Sequence, residues 1–241
     1  DLMKQLFMLA LAALPLVSCQ TSANNADEPS AEATGAVAAA SGDLYLRTYM
    51  WTGMYGTSLD ISWIYMDKNG NIVKNPKHGV NPVDWLKEKQ DNAKNTGTYK
   101  VAGNKINITW NDGKTASWSV EKKDGKYSAI DGGITTIQKG MPANYRIEGK
   151  YASSIVLPNV AATTTLVFKK DGTFTSSNYG TVTTPDVTGS SEKSKTGTYD
   201  ITGNTLTMKF PDGKVEKSVI TIWDDGDKKN LVINGGYYPQ E

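Results

Sequence analysis

Cysteine and histidine are nearly absent from this sequence of 241 residues, which contains one of each, Cys19 and His78. A single cysteine excludes a disulfide framework within the chain. A single histidine excludes a multi-histidine metal site, and a lone loop histidine is usually just solvated. The sequence also lacks a nucleophile elbow, a zinc motif and a phosphate-binding loop. We therefore predict no catalytic residue, no metal site and no cofactor, and we expect a protein that is not an enzyme.

The sequence also lacks an excess of positive or negative charge, because 26 Lys and Arg residues are balanced by 25 Asp and Glu residues. A nucleic-acid-binding protein needs a basic patch or stripe. We therefore predict no nucleic-acid partner. The one acidic cluster, "DDGDKKN" at 224–230, lacks the ligand spacing and the closing Glu of a calcium loop. A charged hairpin turn explains it better.

Long apolar runs are confined to the start of the sequence. Lys4 supplies a positive charge, residues 6–16 are mostly apolar, and "LVSC" follows at 16–19. The apolar stretch is too short to span a bilayer as a helix and is typical of a signal peptide. Its ending resembles a bacterial lipobox, in which the cysteine becomes the acylated N-terminus of the mature protein.

From this resemblance we predict a lipoprotein signal peptide over residues 1–18 and lipid attachment at Cys19. The alternative is an ordinary secretory signal with an incidental cysteine. The next residue is Gln20 rather than Asp. In the enterobacterial scheme an Asp at this position marks a lipoprotein for retention in the inner membrane. The resemblance therefore implies a lipid-anchored protein of the cell envelope, in the outer membrane of a Gram-negative bacterium, with the membrane as its partner. Residues 19–43 are rich in Ala, Ser, Asn and Gly and lack an apolar core pattern, which predicts a flexible tether.

The rest of the chain is rich in strand-forming and turn-forming residues, and it contains one phrase twice. "GTYKVAGNKINITWNDGK" occupies 97–114 and "GTYDITGNTLTMKFPDGK" occupies 197–214. Where the two phrases differ, apolar residues stay apolar at alternate positions, as in half-buried strands. The Gly-Asn and Asp-Gly pairs, which are identical in both, favour tight hairpin turns. Each phrase therefore predicts an antiparallel meander.

The similarity extends beyond the phrase and defines two units, over residues 44–138 and 144–241. Each unit contains seven or eight short segments of alternating apolar residues, which is enough strands to curl and close. We predict an all-β protein with two tandem small antiparallel meander barrels. The alternative is one larger barrel or sandwich that shares strands from both units.

The second unit resembles the bacterial lipocalin-like, calycin-type lipoproteins. The resemblance rests on Gly149-x-Tyr151, on "KDGTF" at 170–174, and on "GTYDITGNTL" at 197–206. It covers the second unit well and the first less well. The sequence departs from the family in having Tyr55 and Tyr151 where the family has Trp in its first strand, and in lacking an arginine near the last strand of either unit. The resemblance implies lipocalin-like barrels that bind a small apolar or amphipathic ligand.

Tryptophan is concentrated in the first unit, and these side chains are the candidate ligand-binding residues. Five indoles could line a pocket for a flat or apolar ligand, although core packing is the commoner role of such residues. The candidates are Trp51, Trp63, Trp85, Trp110 and Trp118.

Both units contain a long excursion between equivalent strands. In the first, Asn81-Pro82 and then Asp84 predict a short helix over residues 82–93. Its apolar face would carry Val83, Trp85 and Leu86. In the second, the Ser- and Thr-rich residues 176–195 predict a mobile loop. The helix either caps a barrel mouth or is a plain surface insertion.

The sequence therefore supports two functions. The first is a membrane-tethered envelope protein that binds a small apolar or amphipathic ligand in a lipocalin-like barrel. The alternative is a structural or adhesive surface module whose solid barrels contact a protein or a glycan.

Overall fold

The two repeated units consist almost entirely of antiparallel strands. A computed structural model describes residues 41–53, 56–157, 160–183 and 188–241. These residues form two eight-stranded antiparallel barrels, one closed and one nearly closed. The predicted all-β fold of two barrels is confirmed, and the strands do not form the alternative of one shared barrel or sandwich. The predicted signal peptide, Cys19 and most of the predicted tether lie outside the described residues.

The first barrel is a meander of eight strands in chain order, closed by pairing of its last strand with its first. The closing contact runs from Tyr45 opposite Ile137 to Thr48 opposite Ile134. The strands are β1 (Gly42–Gly53), β2 (Gly56–Asp67), β3 (Asn71–Lys74), β4 (Thr96–Ala102), β5 (Lys105–Trp110), β6 (Thr115–Lys123), β7 (Lys126–Ile130) and β8 (Gly133–Ile137). Between β3 and β4 lie the helix α1 (Trp85–Asp91) and a 3₁₀ turn (Ala93–Asn95).

The second barrel follows the same order but closes through its last residues. Ala152 N donates to the Pro239 carbonyl at 3.2 Å and Glu241 N donates to the Lys150 carbonyl at 2.9 Å. The strands are β9 (Met141–Tyr145), β10 (Gly149–Leu157), β11 (Val160–Phe168), β12 (Thr173–Thr183), β13 (Thr188–Gly203), β14 (Thr205–Lys209), β15 (Val215–Asp224), β16 (Lys229–Ile233) and β17 (Gly236–Tyr238). β9 is off the main path and pairs with β13. The predicted connector between the units, residues 139–143, is thus partly a strand.

The inward side chains of both barrels pack on one another, as the period of two in the sequence predicts. The first interior contains aliphatic side chains on β2, β5 and β7, with Trp110 and Trp118 packed against them. The second contains an aromatic group formed by Tyr151, Phe168 and neighbouring rings. Each barrel therefore has its own core.

The repeated phrase forms the same turns in both barrels. Gly103 and Gly203 both have φ of 59°, in the left-handed region that favours glycine. In the next turn, Lys114 N donates to Asp112 at 3.1 Å and Lys214 N donates to Asp212 at 2.9 Å. The predicted hairpin turns at both places are confirmed.

The predicted helix of the first excursion is present but begins later, at Trp85 rather than Pro82, because Asn81, the expected N-cap, has another role. Asn81 Oδ1 accepts a hydrogen bond from Asn204 N of the second barrel at 2.7 Å, so Asn81 does not cap α1. The cap is Asp84, whose side chain accepts from Lys87 N at 3.1 Å. Of the predicted apolar face, Val83 and Trp85 pack on the core between the barrels. Leu86 was predicted wrongly, because it is 75% exposed.

The Ser- and Thr-rich excursion of the second unit was predicted wrongly as a loop. It belongs to β12 and β13, which pair from Thr173 opposite Thr198 to Thr183 opposite Thr188. Its threonines are β-branched, which suits an extended strand. Residues 184–187 lie outside the described part. None of the described helices is long and apolar enough to cross a membrane.

Candidate functional site

The five predicted tryptophans lie in three separate places. Trp51 is exposed near the end of β1. Trp63 and Trp85 lie in the core between the two barrels. Trp110 and Trp118 are in contact in the wall of the first barrel, with ring centroids 5.7 Å apart. The structure therefore does not bring the five indoles together around one pocket.

A third apolar cluster, which we call the seam, joins the outer faces of the two barrels. The side chains of β1 and β2 that point away from the first interior meet those of β15 and β16 that point away from the second. Trp63 lies at the centre of the seam, is fully buried and has no hydrogen-bond acceptor for its Nε1 among the described residues. The buried members are Leu44, Leu46, Ile61, Trp63, Tyr65, Val73, Val80, Val219 and Val232.

Polar contacts fix the two barrels across the seam. Thr205 Oγ1 accepts from Val80 N at 2.8 Å and from Asn81 N at 3.0 Å. A Cβ at Gly203 would collide with the Asn81 side chain, so only glycine fits this turn. Elsewhere on the seam, Thr221 Oγ1 donates to Gln138 Oε1 at 2.7 Å. The barrels are therefore held in one arrangement by directional bonds as well as by apolar burial.

A cavity of about 410 Å³ opens along one side of the seam, and we call it the groove. Thr48 and Ile134 are directly opposite each other on β1 and β8 and form its wall on the first barrel. Trp223 of β15 forms its wall on the second barrel and packs edge-on against Tyr237, with centroids 5.9 Å apart. The described lining is Leu46, Thr48, Ile134, Thr136, Gln138, Thr221, Ile222, Trp223 and Asp224.

The lining of the groove is apolar with a polar margin. Leu46, Ile134, Ile222 and Trp223 offer apolar surface, whereas the threonines and Gln138 offer hydroxyl and amide groups. Asp224 is the only charged side chain among the described residues that line it. Concave sites with mostly apolar walls and a few polar groups are the usual form of small-molecule sites, at roughly 300–1,000 Å³.

A second cavity of about 380 Å³ also lies between the barrels, where the chain enters the first strand at Ser41 and Gly42. Its described lining is more polar and includes Asn81, Asn204 and Tyr65. Burial raises the pKa of the Tyr65 hydroxyl. This cavity therefore offers amide and phenol groups beside the apolar side chains of Leu44, Val80 and Pro82.

Neither Ile134 nor Trp223 was predicted from the sequence as a ligand-binding residue. Trp223 is the single tryptophan of the second unit, and it shares an outward face with Val219 and Thr221, two buried residues on the same strand. Its apolar side chain falls on the same alternating positions as those two residues, and this pattern is the sequence signal that could have identified it. Ile134, in "GGITTI", lies on a short strand, and no sequence feature separates it from an ordinary alternating residue.

His78 and the acidic cluster at 224–230 both make contacts within the protein. His78 Nε2 lies 2.9 Å from Asp91 Oδ2, beside α1. Asp225 accepts hydrogen bonds from Lys228 N at 2.9 Å and from Asn230 Nδ2 at 2.8 Å within the β15–β16 turn. These bonds, first the one from the Lys228 backbone, lower the pKa of Asp225. Within the described ranges, no three His, Cys, Asp or Glu side chains cluster as a metal site would need.

Comparison with known proteins gives one finding. The family described as a lipocalin-like domain matches residues 143–227, which run from the end of β9 through β15 into the turn after β15. No curated protein and no solved structure matches the chain. The matched region includes Thr221, Ile222, Trp223 and Asp224, the wall of the groove on the second barrel.

Proposed function

We propose that this protein, whose second barrel is a lipocalin-like domain, binds a small amphipathic ligand in the groove between its two barrels and is tethered to the membrane of the cell envelope. Lipocalin-like domains are typically binding domains rather than enzymes. The sequence prediction placed the ligand inside a barrel. We place it in the groove, because the inward side chains that the structure describes are packed against one another.

The observation that carries the proposal is the exposed apolar wall of the groove. Ile134 is 70% exposed and Trp223 is partly exposed, although both border a concave surface of ligand size. Burying such side chains against an apolar ligand is favourable by about 25 cal/mol per Å² of surface. The groove is thus an apolar surface that a guest molecule of a few hundred Å³ would cover.

The charges of the groove restrict the polar end of the ligand. Neither Lys nor Arg is among its described lining residues, whereas Asp224 is at the margin. A carboxylate or phosphate at this margin would have no cationic partner. We therefore propose a ligand with a neutral, zwitterionic or cationic polar end and an apolar body.

Membrane tethering through Cys19 is supported by the sequence around that residue. The short apolar stretch, the lipobox-like ending and the lone cysteine all favour acylation at this position. Two or more acyl chains would hold the protein stably at a membrane. The binding body would then be held close to a source of amphipathic molecules.

The second candidate function is a structural or adhesive surface module. The inward side chains that the structure describes pack against one another in both barrels, and this favours the second candidate, because a well-packed barrel can serve as a rigid support for a partner-binding surface. In that case the groove and the exposed apolar side chains would contact a protein or a glycan rather than a small molecule.

Native mass spectrometry of the full chain, purified without denaturant, tests the proposal. We expect the protein to retain a small molecule, and Ile134→Glu to lose it. Leu86→Glu is the matched control, since this residue is equally exposed but lies on α1. A bare polypeptide mass for the unmodified protein would contradict ligand binding and favour the adhesive module. Equal retention in both variants would contradict the groove as the binding site.

A further inference from the structure

The hairpin formed by β1 and β2 extends beyond the first barrel as a two-stranded ribbon. β1 pairs with β8 only up to Thr48, whereas its pairing with β2 continues to Gly53 opposite Gly56. We define the ribbon as residues 49–53 and 56–60. β8 does not follow the ribbon along β1, and β3 pairs with β2 only from Ile64 to Met66, so both outer edges of the ribbon leave backbone groups outside the sheet.

Apolar side chains are exposed on both faces of the ribbon. Tyr49 and Trp51 share the face that continues the barrel interior, and Trp51 is 49% exposed. Met50 and Leu59 are paired on the opposite face, and Met50 is 68% exposed. Soluble proteins seldom expose contiguous apolar surface of this kind without a partner to cover it.

The base of the ribbon is held firmly by one buried arginine. Arg47 Nε donates to the Ile130 carbonyl at 2.9 Å and its Nη2 donates to the Asp131 carbonyl at 2.7 Å. Its Nη1 lies 3.2 Å from Asp60 on β2, and its guanidinium stacks over the Tyr49 ring at 5.3 Å. The exposed side chains are therefore displayed from a rigid support.

One face of the ribbon continues into the groove. Thr48, which lines the groove, precedes the ribbon on β1, and Met50 points to the same side of the strand. Across the groove, Trp223 and Tyr237 are also partly exposed. The exposed apolar surface thus runs along one end of the molecule, with Trp and Tyr as its largest members.

We propose that the ribbon inserts into the interfacial layer of a lipid bilayer. A protein partner would cover one face of a two-stranded ribbon, whereas a lipid surface surrounds both, and both faces here are apolar. Tyr and Trp are the side chains that prefer the boundary between headgroups and acyl chains. Because the edge groups need hydrogen-bond partners, the ribbon stays at interfacial depth, where water and headgroups satisfy them.

The charges around the ribbon specify the kind of lipid. Asp60 lies at its base and Asp224 at the groove margin, and the one described cation of the ribbon base, Arg47, is buried and bound. No Lys or Arg is among the described residues that form the ribbon or line the groove, so this surface does not attract anionic headgroups. The insertion is therefore driven by apolar burial, needs only zwitterionic lipid, and resists salt.

The length of the chain before β1 allows this orientation. About 22 residues separate Cys19 from Ser41, and an extended chain of that length reaches roughly 75 Å. The ribbon end of β1 lies only about 36 Å from Gly42, at about 3.3 Å per residue. This step rests on the proposed lipid anchor, whereas the preceding ones do not.

Quenching of tryptophan emission by brominated phosphatidylcholine in vesicles tests the inference with the full chain. Residues 1–40 contain no tryptophan, so the signal reports only on the folded part. We expect bromine-dependent quenching that falls at least threefold in Trp51→Phe and is unchanged in Trp118→Phe, whose indole lies in the barrel wall. Equal quenching in the unmodified chain and in Trp51→Phe would overturn the proposal.

A second set of variants keeps Trp51 and removes exposed apolar side chains that would drive insertion into the bilayer. With Cys19→Ser in every variant to remove the proposed acyl anchor, Met50→Ser with Leu59→Ser should lower the partition coefficient about tenfold or more, because two apolar side chains no longer leave water. The control is Leu86→Ser with Val215→Ser, which removes two exposed apolar side chains elsewhere. Equal loss in both pairs, or binding that requires anionic lipid and is abolished by salt, would overturn the proposal. Because the groove side chains are unchanged in these variants, ligand retention by native mass spectrometry fails or succeeds independently.

Discussion

The two barrels use the same hydrogen bonds in their repeated strands but differ in what connects the third and fourth strands. Tyr99 N donates to the Gly70 carbonyl at 2.8 Å, and Tyr199 N donates to the Gly172 carbonyl at 2.7 Å. The hydroxyl of Tyr99 lies 2.9 Å from the carbonyl oxygen of Asp67, and that of Tyr199 lies 2.9 Å from the carbonyl oxygen of Lys169 and 2.7 Å from that of Ile147. The repeated phrase thus specifies the barrel itself.

The connection between those strands has a different role in each barrel. In the first barrel it leaves the sheet, contacts Thr205 of the second barrel and folds into α1. In the second barrel the equivalent segment remains in the sheet as the long hairpin of β12 and β13. The comparison teaches that the shared strands build the two barrels, whereas the first excursion joins them and shapes the surfaces between them.

The largest effect is expected at the seam. Trp63→Ala should lower the free energy of unfolding by about 3–5 kcal/mol, because it leaves a cavity where a fully buried indole packs. Trp51→Ala, on the exposed ribbon, should change it by about 0.5 kcal/mol or less. Urea unfolding measures both. Similar losses for the two variants would show that the seam does not stabilise the protein.

A smaller loss is expected at the carboxylate that holds the first excursion. Glu88 is fully buried, and its Oε1 accepts from Lys77 N at 2.6 Å and from His78 N at 2.7 Å. Glu88→Ala leaves both donors without an acceptor and should cost about 2–3 kcal/mol. Glu192→Ala, in the corresponding segment of the second barrel, removes an exposed carboxylate and serves as the control.

Urea unfolding also measures this pair, and Glu88→Gln should recover part of the loss because an amide oxygen can still accept. An effect of Glu88→Ala no larger than that of Glu192→Ala would contradict the role of the first excursion.

The smallest difference is expected between two equivalent glycines. Gly103→Ala should lower the free energy of unfolding by about 1 kcal/mol, because alanine tolerates the positive φ poorly. No steric cost is added, since a Cβ there meets no atom within 4 Å. Gly203→Ala has the same φ but also drives its Cβ into Asn81, so it should cost about 1–2 kcal/mol more. Thermal and urea unfolding compare the two. Equal costs would mean that the barrels do not meet closely at this turn.

The sequence predicts the barrels well because their information is local. The Gly-Asn and Asp-Gly turns and the alternating apolar residues are readable within each eighteen-residue phrase. The seam could not be predicted in the same way. Val219 and Val232 are buried because an outer face meets another outer face, and a single sequence does not show which outer faces meet. The helix boundary failed for the same reason, since Asn81 contacts a residue more than one hundred positions away.

The candidate site was predicted least well. The tryptophan content predicted five indoles as site residues. However, Trp63 and Trp85 pack in the seam, and Trp110 and Trp118 pack in a barrel wall. The groove arises from side chains of two units that are far apart in sequence, such as Thr48, Ile134 and Trp223. Its position depends on how the barrels pack, which no local pattern specifies.

Titration with a zwitterionic single-chain amphiphile such as lysophosphatidylcholine, below its micelle concentration, tests the central claim that the groove is the binding site. The account predicts a saturable change in tryptophan emission that is lost in Trp223→Phe, on the groove, and kept in Trp118→Phe, in the wall of the first barrel. A saturable change that persists in Trp223→Phe and disappears in Trp118→Phe would place the ligand at the first barrel and contradict the account.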